Sequence, residues 1–111
     1  MVVGLAPWVT RTEPARVLTG QRVVLLHGVD DRTTDPAATT ALVRRAQGVA
    51  RTATVVRYAG EGHTLLGRRD AAGRLAAQVA VAVLVRVGAP PRRARPVLRS
   101  ILTGTDTVLD A

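Results

Sequence analysis

The chain contains no cysteine, no lysine and no phenylalanine, and only one tryptophan and one tyrosine. Without cysteine there is no disulfide framework, no thiolate nucleophile and no Cys-ligated zinc or iron–sulfur centre. With Trp8 and Tyr58 as the only aromatic rings, almost nothing is available on which nucleic-acid bases stack. Long apolar runs are missing too. The longest, Val79 to Val85, falls far short of the roughly 20 residues that a membrane-spanning helix needs. Nor does Met1 to Pro7 carry the basic residue and cleavage region of a secretory signal. These absences make a cytoplasmic chain with no membrane partner the expectation.

Acidic residues are scarce, 8 against 16 basic ones, for a formal net charge of +8, and all 16 of the latter are arginine. A basic excess raises the question of nucleic acid. The arginines are scattered, however, and the one dense group, Arg92, Arg93 and Arg95, sits in a proline-rich stretch. Together with the missing aromatics this argues for a solvated basic face and tail rather than a nucleic-acid surface. The absence of lysine beside abundant alanine, valine and arginine reads as a bias towards G- and C-rich codons. What the chain does have is apolar side chain, 47% of residues, with a mean hydropathy of +0.16, which excludes a disordered solvating polymer. At 111 residues it is one domain at most, and it buries roughly two-thirds of its unfolded surface only if its pieces complete one another.

Along the chain, strand and helix signals alternate. Met1 to Ala6 is a short apolar run ended by Pro7, and Arg22 to His27 holds Val23, Val24, Leu25 and Leu26 without alternation, as expected of a strand covered on both faces. Between them, Thr12 to Arg16 has room for one helical turn opening on Thr12. Asp35-Pro36 opens a helix over about 36–47, because aspartate caps free amides and proline is tolerated in the first helical turn. Ala38, Ala41, Leu42 and Ala46 supply its apolar face. Ala53 to Tyr58 is a third strand, and Ala59-Gly60-Glu61-Gly62-His63 is a glycine-rich loop. The longest helix is expected over about 69–87, with Leu75, Val79, Ala82, Val83 and Arg86 in register and Gly88 closing it. Residues 89–111 begin with Pro90-Pro91 and read as linker and tail, with a short helix over Val97 to Leu102. The order implies an α/β fold with about three parallel strands and right-handed crossovers.

Chemistry-bearing residues gather in two stretches, Leu26-His27-Gly28-Val29-Asp30-Asp31-Arg32-Thr33-Thr34-Asp35-Pro36 and Tyr58-Ala59-Gly60-Glu61-Gly62-His63, each just past the carboxyl end of an expected parallel strand. Ligands of open α/β sheets bind at that edge. His-Gly-x-x-Asp, a helix opening with Asp-Pro, a strand and then Gly-x-Gly-His together resemble the C-terminal third of the α/β-hydrolases, nearest to the dienelactone hydrolase and prolyl-oligopeptidase-like branches. The resemblance spans about residues 1–88 and is strongest over 22–66. It implies that Asp31 is the acid of a catalytic triad, with Asp30 the alternative, and that His63 is its base. It also implies that Val2-Val3-Gly4-Leu5-Ala6-Pro7-Trp8 is the strand following the nucleophile helix. The parent activity would be hydrolysis of an ester, lactone, amide or peptide, with water and no cofactor.

One departure from the family pattern dominates. These enzymes carry their nucleophile on a Gly-x-Ser-x-Gly turn earlier in the chain than the acid and base. The sequence has no such turn, and its only serine, Ser100, comes after His63. The expectation is therefore the C-terminal portion of a serine hydrolase, carrying acid and base without nucleophile and inactive alone, whose small-molecule ester or peptide substrate requires completion by an upstream segment. The alternative is a noncatalytic α/β interaction domain that pairs with itself or another chain through an exposed edge strand. His27 reads as a satisfied structural histidine, Glu61 as a solvent-facing residue, and Trp8 and Tyr58 as packing residues. Arg32 is a candidate partner for Asp30 or Asp35. His27, Asp31, Glu61 and His63 lack the short spacings of a zinc site, so no metal is expected.

Overall fold

The computed structural model describes residues 1–84, 96–104 and 107–111. Four strands, β1 (Val2–Leu5), β2 (Arg22–Gly28), β3 (Thr52–Tyr58) and β4 (Val108–Asp110), form one sheet in the order β1-β2-β3-β4, and every neighbouring pair is parallel. Three α-helices accompany them: α1 (Pro36–Ala46), α2 (Arg69–Leu84) and α3 (Pro96–Thr103). Single 3-10 turns occupy Ala15–Leu18 and Leu66–Arg68. The expected α/β class and the three expected strands are present. The first short turn follows Pro14, whose φ of −74° already suits it, rather than opening on Thr12.

Both central strands are buried along nearly their whole length because each face has its own cover. Val23, Leu25, Ala53 and Val55 pack against Leu18 and against Leu42, Val43 and Ala46 of α1. On the other face Val24, Leu26, Val56 and Tyr58 meet Leu65, Ala72, Val79, Leu98 and Ile101. This two-sided burial is the physical reason for the unalternating apolar run in β2. α1 starts where expected: Asp35 accepts a hydrogen bond from the Ala37 amide at 2.8 Å and Pro36 follows it.

The stretch 89–111 is corrected in part. The expected short helix is present as α3, and its Leu98 and Ile101 are buried, while Val108–Asp110 adds a fourth strand beside β3. Three residues are too few to show periodicity, so β4 left no signal. Gly88, Pro90-Pro91, Arg86 and the cluster Arg92, Arg93 and Arg95 lie outside the described residues.

The crossovers also differ from expectation. The sheet steps in one direction from β1 to β4, yet α1 covers one face while α2 and α3 cover the other. The β2-to-β3 and β3-to-β4 connections therefore have opposite hands, and one of them departs from the right-handed rule. That rule reflects tight strand–helix–strand units, whereas the link from Tyr58 to Val108 contains two helices. Among the described residues no helix is long and apolar enough to cross a membrane.

Candidate active site

The two loops meet because a side chain is missing between them. Gly28 ends β2, and a Cβ at that position would lie on the carbonyl oxygens of Glu61 and Gly62. The close approach lets the Val29 amide bond Tyr58 O and the Asp30 amide bond Glu61 O, both at 3.0 Å. Gly60, at φ +73°, supplies the left-handed turn that brings the second loop back over the first. Leu65, buried in the core, adopts φ +50° just beyond His63. A branched side chain in that region is costly unless packing holds it there.

Asp31 sits at the centre of the site with its side chain fully buried. Oδ1 accepts the amides of Thr33 at 2.7 Å and Thr34 at 3.0 Å. Oδ2 accepts the Thr34 hydroxyl at 2.6 Å, His27 Nε2 at 2.9 Å and His63 Nδ1 at 3.0 Å. Burial by itself raises the carboxyl's pKa. The Thr34 hydroxyl and amide, His63 and the Thr33 amide outweigh it and hold Asp31 well below the ordinary carboxylate range. An ionised carboxylate only accepts, so the imidazole nitrogens facing it carry the protons. His63 is thereby set as the Nδ1–H tautomer. Its side chain is 39% exposed, and Nε2 has no hydrogen-bond partner among the described residues.

The remaining residues fall into place around this pair. Asp30, the alternative acid, is exposed and contributes its amide to the loop contact. Asp35 pairs with Arg11 at 3.0 Å rather than with Arg32. Arg32 is exposed and forms no ion pair among the described residues. Glu61 does not simply face solvent, since its carboxylate accepts the Gly67 amide at 3.1 Å and closes the turn after His63. Tyr58 is buried, but Trp8 is 80% exposed because β1 is the edge of the sheet and nothing described lies over it. His27 is buried, and its Nδ1 lies 2.9 Å from Thr39 Oγ1 on α1. Sequence reasoning missed Thr34 and Thr39. The signal for Thr34 was its position three residues after Asp31, where an aspartate readily takes up backbone amides.

With Asp31 and His27 satisfied by one another and their neighbours, no group of three or more metal-donor residues is assembled among the described residues. Ser100 stands at the other end of the sheet. α3 ends with Leu102 O accepting Arg22 Nη1 at 3.4 Å and with Gly104 against Thr52. Arg22 and Thr52 begin β2 and β3, whereas His63 follows their carboxyl ends. An open groove beside α1, lined by Val29, Pro36, Thr40, Arg44 and Arg57 among others, is not lined by Asp31 or His63.

No family model matches this chain, and neither a curated protein nor a solved structure shows a significant match to it.

Proposed function

We propose that the chain carries the acid–base half of a serine-type hydrolase acting on an ester, lactone, amide or peptide bond, with Asp31 as the acid and His63 as the base. The observation that supports this most directly is Asp31 Oδ2 lying 3.0 Å from His63 Nδ1, with the opposite nitrogen of a half-exposed ring unoccupied. In that arrangement Nε2 takes the proton from a hydroxyl as its oxygen bonds the substrate carbonyl carbon. It returns the proton to the leaving group as the carbonyl re-forms and the scissile bond breaks. Asp31 fixes the tautomer and stabilises the imidazolium in between. The hydroxyl itself has to come from a Gly-x-Ser-x-Gly turn that these residues do not contain, and Ser100 is at the wrong end of the sheet to replace it. The resemblance to α/β-hydrolases agrees with this order of acid and base.

The test is intact-mass analysis of the folded chain after two reagents. Diethyl pyrocarbonate, which acylates a free imidazole nitrogen, should modify His63 and spare His27, and Asp31→Asn should slow the reaction several-fold. A fluorophosphonate should leave no adduct on Ser100. Reactivity of His63 that ignores Asp31→Asn, or a stoichiometric Ser100 adduct lost in His63→Ala, would overturn the reading.

A second reading, a noncatalytic domain that pairs with another chain or a copy of itself, is favoured by one observation. The outer edge of β1 presents Leu5 at 52% exposure together with Trp8.

A further inference from the structure

His27 has a side chain with no exposed surface, yet it is bound to the same carboxylate oxygen that holds His63. A carboxylate turns about two bonds, and both have to be fixed for one oxygen to stay on His63. The Thr33 and Thr34 amides hold Oδ1, and the Thr34 hydroxyl reaches Oδ2 from the same loop. Among these donors only His27 arrives from the sheet. It is also the one donor tied to α1, through Thr39 Oγ1 at 2.9 Å. A residue needed merely to fill the core here would cost less as an aliphatic side chain, which leaves no ring nitrogens to satisfy.

We propose that His27 is a positioning residue for the Asp31–His63 pair: its Nε2–H holds Asp31 Oδ2 against His63 Nδ1 and so determines which nitrogen of His63 stays free. The proton arrangement follows from the partners. Asp31 requires a proton on His27 Nε2, so the neutral ring has its lone pair on Nδ1, where the Thr39 hydroxyl donates. A proton moved to Nδ1 would turn a lone pair towards a carboxylate and repel it. The ionised carboxylate thus fixes the tautomer of His27, the Thr39 hydroxyl completes it by donating to Nδ1, and His27 in turn holds the carboxylate that sets the tautomer of His63. This inference rests on reading Asp31 and His63 as an acid–base pair, and it assigns to that pair a member that never touches substrate.

Long-range proton–nitrogen correlation spectra of the His63 ring in the folded chain test it. Glutamine at position 27 places its amide nitrogen near the site of imidazole Nε2, within reach of Asp31, whereas asparagine reaches only towards Thr39. His27→Gln should keep His63 as Nδ1–H. His27→Asn should move the ratio of Nδ1–H to Nε2–H towards Nε2–H by roughly tenfold, as expected for the loss of one hydrogen bond to a charged group. A purely structural histidine predicts that both variants lower the melting temperature and leave the His63 spectrum alike, and that result would overturn the proposal. Should neither variant fold, Thr39→Val removes the donor from Nδ1 while leaving every imidazole and carboxylate in place. It should shift His63 in the same direction, and an unchanged spectrum overturns the proposal. Asp31→Asn separates the two layers of argument. If it leaves the wild-type His63 spectrum unaltered, the acid–base pair itself fails and His27's role falls with it.

Discussion

Asp31 concentrates more of the molecule's polar energetics than any other single side chain described here. Five donors converge on its buried side chain, so truncating it strands several polar groups at once, the buried His27 and Thr34 among them. Asp31→Ala should cost about 3–5 kcal/mol of stability, the range measured when one partner of a buried charged network is removed, and urea unfolding reads that loss directly. The pH dependence has a definite sign. The folded carboxyl titrates below the ordinary value of about 3.9, so the unfolded state binds more protons between the two values. The stabilisation is complete above the unfolded value and disappears as pH falls through the folded one. The urea midpoint of the wild type should therefore drop as pH is lowered from about 5, whereas Asp31→Asn should lose that part of the slope. At this scale the sequence was partly legible. Asp31 and His63 stood out because each follows a glycine-marked strand end. The choice between Asp30 and Asp31 was not readable, because it depends on the turn that delivers the Thr33 and Thr34 amides to one carboxylate and not the other. His27 and Thr39 were still less so, since their contact exists only once α1 has packed on β2.

Among the elements, the site is made by one close approach. The loop after β3 crosses β2 at Gly28, and everything from Tyr58 to His63 takes its position from that crossing. Gly28→Ala should therefore push the second loop away, costing about 3 kcal/mol, and should increase the exposure of Asp31. The melting temperature and the rate of His63 acylation check the two effects separately. Gly60→Ala strains only its own φ, because nothing lies within 4 Å of an added Cβ there, and it serves as the milder control. The strands and α1 were legible because the burial pattern, the Asp35-Pro36 start and the β-branched run all pointed the same way. Of the tail only the short helix over Val97 to Leu102 was legible, because Pro90-Pro91 and the arginines around it dominate a composition-based reading, while the three residues of β4 carry no pattern. Trp8 was misjudged for a related reason. A tryptophan is ordinarily a packing residue, and its exposure here follows from its place beyond the sheet's outermost strand.

For the molecule as a whole, the two sheet edges are unlike. Met1 to Thr10 contains no charged side chain, in a chain whose formal charge is +8, so the β1 edge sets no side-chain charge against a second copy. The second reading accordingly predicts concentration-dependent association, and Leu5→Glu should abolish it in sedimentation equilibrium without lowering the melting temperature. The opposite edge is held differently. β4 returns to the sheet over the face away from α1, and its register covers only Val55 to Arg57. A bidentate contact between Arg57 and Asp110, with its Nε–Oδ1 bond at 2.7 Å, secures its end. Closing a segment that begins at Val108 onto a strand that ends at Tyr58 costs more loop-closure entropy than pairing β2 with β3, so that edge is completed after the β2–β3 pair. Until then β3 remains an unpaired strand beside a finished β2. Arg57, which later grips Asp110, is the single charge in β3 that can discourage a neighbouring chain from adding itself there. One arginine thus serves first as a guard against misassembly and afterwards as the clasp.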